Sequence, residues 1–263
     1  MIETHVDRAR DAVERERELL AEEGAAYEEF CSRVTSLSAT EVGPGPTTSG
    51  STRGGLVAGA ARPDTGGAAC EQAREAFAET VQPYSVADVG DEPLLETIRE
   101  ELGEGVALAL APTTDPGFTT QTKSAILSAA RERRRGIEAT IDALASEAES
   151  LREVGDVLGE ITDWLADADE RPLSTLGFDA LRERHERLAQ HRERVAELLD
   201  DRQELLASTT GRNRSADITH RSLVRYLYEP LPVVYPVLST LTRLYDLLED
   251  CQQTVREHLT RRG

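Results

Sequence analysis

Apolar residues recur at alternating steps of four and three along the first 37 residues of this chain. The series comprises Ile2, Val6, Ala9, Val13, Glu16, Leu20, Glu23, Tyr27, Phe30, Val34 and Leu37, and nine of these eleven positions are apolar. This period is typical of a helix that buries one face against a second helix. We therefore predict a helix over residues 2–38, within an amino-terminal segment of residues 1–40.

The same period returns in two long stretches downstream. It predicts one helix over residues 120–168, whose apolar positions form a seam from Ile137 to Leu165 through Ala148. After Ala148 the seam takes two successive steps of three residues, which overwinds a coiled coil locally. A second helix is predicted over residues 174–208, with His191 and Arg202 as polar interruptions of its seam. A short turn between them predicts an antiparallel hairpin over residues 119–210. The amino-terminal helix could complete a three-helix bundle in its own chain or pack on a second copy, and the sequence leaves both open.

The remaining segments are a linker and shorter helices. Eight glycines and three prolines among residues 43–67 predict a flexible linker over residues 41–69. Two short helices follow in residues 70–112, the second with an apolar face from Leu94 to Val106 and Asp91 as its N-cap. Residues 215–263 form a carboxyl-terminal segment with helices near 217–229 and 236–261. The predicted fold is all-α, with long antiparallel helices in an extended coiled-coil bundle and a disordered Gly/Pro-rich linker.

The net charge of the chain indicates the salt concentration of its surroundings. The 49 acidic residues outnumber the 30 basic ones, of which only Lys123 is lysine, and the formal net charge is -19. At molar salt the Debye length is about 3 Å, which suppresses the self-repulsion of such a surface. The composition therefore favours a halophilic cytoplasm, since a GC-rich genome would explain arginine in place of lysine but not the acidity.

Several other features agree with a cytoplasmic protein. The free-standing Cys31, Cys70 and Cys251 indicate reduced thiols, and the amino terminus does not resemble a signal peptide. The most apolar stretch, Leu223 to Leu238, contains charges and three prolines, so we expect no membrane span. An acidic surface also makes nucleic acid an unlikely partner.

The search for catalytic and metal-binding residues is negative. His185 and His191 are six residues apart, so they do not share a helical face, and no Glu-x-x-His motif is present. We expect the acidic residues to form solvated faces, His220 to be solvated or capping, and the basic run Arg131 to Arg135 to pair with acidic side chains of the bundle. The sequence predicts no enzyme, no cofactor and no metal.

The carboxyl-terminal segment differs in charge from the rest. Residues 211–263 carry eight arginines and six acids, a net +2, which leaves -21 on the other 210 residues, and they hold four of the six tyrosines. Such a segment is either well buried or a contact surface. The candidate interaction surface is formed by Tyr226, Tyr235, Leu238, Arg243, Tyr245, Arg256 and Leu259.

Three stretches resemble a known family. They are ARDAVERERELLAEEGAAYEEF, FAETVQPYSVADVGDEPLLETIREELGEG and, most specifically, YPVLSTLTRLYDLLEDCQQTVREHLTRR, and they are similar to an uncharacterised haloarchaeal family of helical proteins. The resemblance implies a high-salt cytoplasm and assigns no activity or catalytic residue. We therefore predict a non-enzymatic helical scaffold or protein-interaction module that contacts itself or a helical partner. The alternative is a nucleic-acid-associated regulatory protein that uses the arginine-bearing carboxyl-terminal segment.

Overall fold

A computed structural model describes residues 4–40, 65–85, 93–112, 117–208 and 219–261. These residues form α-helices and no β-strand, apart from an isolated bridge between Thr40 and Thr119, so the all-α prediction is confirmed. The helices are α1 (His5–Ser36), α2 (Thr65–Thr80), α3 (Leu94–Leu102), α4 (Glu104–Leu110), α5 (Thr120–Asp169), α6 (Phe178–Ala207), α7 (His220–Tyr228) and α8 (Pro236–Thr260). No described helix combines the length and hydropathy that a membrane span requires.

The long helices lie close to their predicted boundaries because their apolar period extends over most of each helix. Helix α5 matches the predicted 120–168 within one residue. Helix α6 begins four residues later than predicted, since Leu173–Thr175 forms a short 3-10 turn after Pro172. The seam of α1 is buried at both ends of the helix, with Val6, Ala9, Val13, Tyr27, Phe30 and Val34 shielded from solvent.

The region before α5 departs from the prediction in two respects. The single helix predicted through Leu94 to Val106 is wrong, because Gly103 ends α3 with a φ of 91° and α4 starts directly after it. A positive φ of this kind suits glycine, which has no Cβ to clash with the backbone. Helix α2 begins at Thr65, inside the predicted linker, and residues 41–64 lie outside the described residues, as does Asp91.

The chain divides into two compact units. Unit 1 comprises residues 1–18 and 139–263, and unit 2 comprises residues 19–138.

In unit 1, α5 and α6 form the predicted antiparallel hairpin. Three ion pairs join them at successive levels, and the residue number rises along one helix as it falls along the other: Glu160 to Arg187 at 3.4 Å, Glu153 to Arg194 at 2.7 Å, and Glu147 to Arg202 at 2.7 Å. Helix α8 packs along α6, where Arg192 donates to Gln252 at 2.7 Å. Arg10 of α1 donates to the carbonyl oxygens of Leu151 and Arg152, so the start of α1 packs within its own chain.

In unit 2, the rest of α1 is antiparallel to the first part of α5. Lys123 donates to the carbonyl oxygens of Thr35 and Leu37, and Arg133 pairs with Glu23 at 3.2 Å. The rings of Phe30 and Phe77 meet edge to face, with centroids 5.6 Å apart. The basic run was predicted to pair across the bundle, and part of it does: Arg133 pairs with Glu23 and Glu101, and Arg134 with Glu28. Within α5, Arg134 also pairs with Glu138, and Arg135 with Glu132.

Candidate functional site

The most concentrated polar cluster of unit 1 is buried around a single carboxylate. Arg202 donates to both oxygens of Glu147 in a two-pronged contact, Nη1 to Oε2 at 2.7 Å and Nη2 to Oε1 at 2.8 Å. His220 Nε2 lies 2.7 Å from Oε2, and the Tyr228 hydroxyl donates to Oε1. The four side chains, which we call the Glu147 centre, are each no more than 2% exposed.

Three helices bring this centre together. Glu147 lies on α5, Arg202 on α6, and both His220 and Tyr228 on α7. The Thr219 hydroxyl caps α7 by accepting from the Ser222 amide at 3.3 Å, which places His220 at the first helical position. Eight residues, about two turns, separate His220 from Tyr228, so both lie on the face of α7 that also buries Leu223, Val224 and Leu227.

The electrostatics of the centre favour an ionised carboxylate. Burial by itself would raise the pKa of Glu147, but the hydrogen bonds from His220 and Arg202 and the charge of Arg202 lower that pKa to about 2. The pKa of the Tyr228 hydroxyl is raised by its burial and by the neighbouring charge of Glu147. The His220 ring therefore donates from Nε2, since an ionised carboxylate can only accept.

The centre is chemically complete. Each oxygen of Glu147 accepts two hydrogen bonds, which uses the acceptor capacity of a carboxylate. Arg202 Nη1 makes a further contact with the Ser150 hydroxyl at 3.3 Å. In this state the carboxylate has no acceptor position left for a substrate. Its contacts with His220 and Tyr228 hold α7 against the α5–α6 hairpin.

Sequence reasoning missed two members of this centre. Glu147 was expected on a solvated face, but it is 0% exposed and occupies the seam position that the period assigned to Ala148, which is only half-buried. The expectation of a solvated or capping His220 is also wrong. One signal was present: the irregular step near Leu151 marks the stretch where the seam passes through Glu147, and Arg202 interrupts the facing seam.

Of the predicted interaction residues, Tyr226 lies on α7, Tyr235 immediately precedes α8, and the other five lie along α8. Tyr226 is 61% exposed, while Arg243 and Arg256 are also exposed. The other four, Tyr235, Leu238, Tyr245 and Leu259, are half-buried.

Two of these tyrosines are held by polar contacts inside unit 1. The Tyr245 hydroxyl accepts from Arg192 at 2.9 Å, and the same guanidinium lies 4.7 Å from the centre of the Tyr245 ring. Tyr226 forms a hydrogen bond with Glu16 of α1, and the charge of Glu16, followed by burial, raises the pKa of Tyr226. Tyr245 is therefore partly engaged by the fold, whereas Tyr226 keeps most of its ring in solvent.

Metal-ligating side chains do not converge in the parts of the chain that the structure describes. Over those ranges no three histidine, cysteine, aspartate or glutamate side chains are placed to hold an ion. Cys31, Cys70 and Cys251 are free thiols, and burial is the main reason that the pKa of each is raised.

Comparison with known proteins gives a family and no assigned function. A family model described as Domain of unknown function (DUF7260) matches residues 4–252. No curated protein and no solved structure matches the chain significantly.

Proposed function

We propose that this chain, which belongs to the DUF7260 family, is a non-enzymatic helical scaffold or protein-interaction module of a halophilic cytoplasm. The observation that carries the proposal is a set of outward-facing arginines on α7 and α8. Arg221, Arg225, Arg243 and Arg256 are exposed, and none lies within ion-pair distance of a described carboxylate. We use the name arginine surface for these four residues, which are spread over two helices and do not form one patch, since Arg243 and Arg256 lie about 20 Å apart on different sides of α8.

Exposed apolar side chains accompany the arginine surface. Tyr226 follows Arg225 on α7 and is 61% exposed, and Leu247 lies one helical turn from Arg243 on α8 and is 49% exposed. Arginine and tyrosine together are typical of protein contact surfaces, because each combines a large apolar area with a polar group.

The charge distribution favours an acidic partner surface. Residues 211–263 carry a net +2 while the rest of the chain carries -21. Arginine pairs with carboxylates through two parallel hydrogen bonds, which keep part of their strength in concentrated salt when the contact is desolvated. An acidic helical face, of a second copy or of another protein, is the occupant we propose.

The test compares two sets of arginine substitutions that change the charge equally. One variant carries glutamine at the four positions of the arginine surface. The matched control carries R99Q, R135Q, R152Q and R182Q, four arginines that each pair with a carboxylate of their own helix. Each protein is purified at molar potassium chloride and its mass measured by size-exclusion chromatography with light scattering.

We expect the measured mass of the native chain and of the control to exceed the 28.8 kDa of the monomer, because each forms an assembly. The assembly contains either a second copy of the chain or a co-purifying acidic protein, and such a protein should bind the chain again after it has been purified separately. The arginine-surface variant should run as a bare monomer with an unchanged helical spectrum. A native chain that is a bare monomer, or an assembly that survives loss of all four arginines, would contradict the proposal.

A nucleic-acid-associated regulator is the second candidate, and the exposed Tyr226 beside Arg225 favours it, since tyrosine rings can stack on bases. Fluorescence anisotropy with DNA and RNA at molar salt tests it. Binding that disappears when Arg256, Arg261 and Arg262 are replaced would support it. The absence of binding by the native chain would remove it.

A further inference from the structure

A cleft opens in unit 1 where α5 turns into α6. It has a volume of about 600 Å³ and adjoins a smaller cavity of about 260 Å³, with which it shares Arg187 and Gln190. The larger volume lies within the range of about 300 to 1,000 Å³ that is usual for small-molecule sites. We call the two together the turn cleft, and the residues that matter for its chemistry are Trp164, Arg171, Arg184, Arg187 and His191.

Two arginines of the turn cleft have no carboxylate partner. Arg171 and Arg184 are not within ion-pair distance of any described acidic side chain, whereas Arg187 pairs with Glu160 at 3.4 Å. The pKa of Arg184 is lowered by burial and by the like charge of Arg171, and Asp169 only partly offsets this effect. Arg184 Nη1 donates to the backbone carbonyl of Arg171 at 3.4 Å, and neither guanidinium has a carboxylate partner among the described residues. In a chain with 49 acidic residues, two neighbouring guanidinium groups without such a partner mark a place where an anion would be stabilised.

The turn cleft also contains an unsatisfied buried nitrogen. His191 is 5% exposed, lines the smaller cavity, and has no hydrogen-bond partner for Nε2 within the described part of the chain. Burial and the charge of Arg187 lower the pKa of His191, so the ring is neutral at pH 7. A buried polar atom without a partner costs about 1 to 3 kcal/mol, and a bound group that supplies the missing hydrogen bond would recover this cost.

An aromatic surface lies beside this nitrogen. The Trp164 and His191 rings are 4.9 Å apart at an angle of 52°, and Trp164 is half-buried in the wall of the larger cavity. Tryptophan offers a flat apolar surface on which a planar ring can stack.

The acidic side chains of the turn cleft restrict the class of ligand. Asp167, Glu183 and Glu186 also line it, and Glu186 is directed to Arg182 at 3.7 Å. A plain anion would be repelled by the remaining carboxylates. A ligand that carries hydrogen-bond donors as well as an anionic group fits the mixed lining better.

From these observations we infer that the turn cleft binds a nucleoside monophosphate. The phosphate would lie between Arg171 and Arg184, the base would stack on Trp164, and a polar atom of the base would bond to His191 Nε2. This small-molecule site is independent of the arginine surface on α7 and α8.

The chain provides its own reporter, because Trp164 is its only tryptophan. The experiment titrates the full-length protein at molar potassium chloride with AMP, GMP, CMP and UMP, and follows Trp164 fluorescence, with isothermal calorimetry as a second readout. Inorganic phosphate and the free nucleosides are titrated in parallel. The variants are R184Q and H191Q, and the matched control is R152Q, which removes an exposed α5 arginine that pairs with Glu149 and Asp156, neither of which lines the cleft.

We expect saturable binding of at least one nucleoside monophosphate, weakened at least fivefold by R184Q and by H191Q and unchanged by R152Q. The proposal is overturned if no nucleotide gives a saturable signal up to about 10 mM, a range of the order expected for weak sites. It is also overturned if phosphate alone binds as tightly as the nucleotides, or if R152Q weakens binding as much as R184Q. Helical content measured for each variant by circular dichroism separates loss of binding from loss of folding, and if both R184Q and H191Q unfold, R171Q takes their place under the same criterion.

Discussion

The α5–α6 hairpin carries two polar regions that differ in how completely their buried polar atoms are hydrogen-bonded. At the Glu147 centre, every acceptor position of a buried carboxylate is used by Arg202, His220 and Tyr228. At the turn cleft, a buried histidine nitrogen has no hydrogen-bond partner and two arginines have no carboxylate partner among the described residues. The buried carboxylate of the first region is fully hydrogen-bonded within the chain, whereas the buried His191 Nε2 of the second region is not.

The difference shows how to separate structural polar residues from candidate binding residues. Burial alone does not distinguish them, since His220 and His191 are both at least 95% buried. Satisfaction of hydrogen bonds does distinguish them, because the energetic cost of burying a polar group falls only on the atom that lacks a partner.

The largest effect is expected from removing the cation of the Glu147 centre. Replacing Arg202 by leucine leaves an uncompensated buried carboxylate, and it should lower the free energy of unfolding by about 3 to 5 kcal/mol. Arg194→Leu is the control, because its pair with Glu153 is nearly half-exposed and should contribute less than about 1 kcal/mol. Guanidinium unfolding at molar salt measures both, and similar losses for the two variants would contradict a special role for the centre.

The second prediction concerns how the free energy of unfolding depends on pH. The pKa of Glu147 is lowered in the folded chain to about 2 from an ordinary 4.5, so the carboxylate stabilises the fold above pH 4.5. This stabilisation is on the order of 3 kcal/mol and should be lost as the pH falls from about 4.5 to 2. The stability difference between the native chain and Glu147→Gln should therefore shrink over this interval. A difference that stays constant with pH would mean that Glu147 titrates normally.

The third effect concerns the Tyr228 hydroxyl. Tyr228→Phe removes a buried donor to a charged acceptor, and we expect a loss of about 2 kcal/mol in the free energy of unfolding. Tyr226→Phe removes the same atom from a ring that is mostly in solvent, and should change stability by less than about 0.5 kcal/mol. Chemical unfolding of both variants decides this, and equal losses would count against the distinction.

The smallest effect should have the opposite sign. His191→Leu places an apolar side chain at a seam position and removes the unpartnered Nε2, so it should raise the free energy of unfolding by about 1 kcal/mol. The stabilisation should grow as the pH falls through the ordinary histidine value, because the depressed pKa of His191 makes the folded chain resist protonation while the unfolded chain takes up a proton. Loss of stability at pH 7 would show that His191 has a partner in solution.

Sequence reasoning located the helices better than it located the polar interior. The boundaries of α5 follow from an apolar period that extends over most of the helix, and α8 begins at Pro236, the residue at which the sequence predicted it to begin. The break at Gly103 was missed because the apolar face from Leu94 to Val106 continues across it, and only the backbone angle shows the interruption.

The partners of polar residues could not be read from the sequence. His191 and Arg202 look alike in the heptad pattern, since each interrupts the α6 seam once. The period shows which residues face inward, but not which residue stands opposite. Arg202 faces Glu147, and His191 faces the ring of Trp164, which supplies no acceptor. These partners are set by the register of α5 against α6 and by the docking of α7, which are tertiary properties.

The protonation state of Glu147 reports whether the carboxylate is held by Arg202, His220 and Tyr228 in solution. Carbon-13 NMR of selectively labelled glutamate, with Glu147→Gln used for assignment, follows the side-chain carboxyl of Glu147 as the pH is lowered at molar potassium chloride. A closed centre predicts that this signal stays at the position of an ionised carboxylate through pH 4 and moves only near pH 2 or when the chain unfolds. A titration midpoint close to 4.5, in a chain that is still folded, would show that the Glu147 centre does not hold this carboxylate in its ionised form.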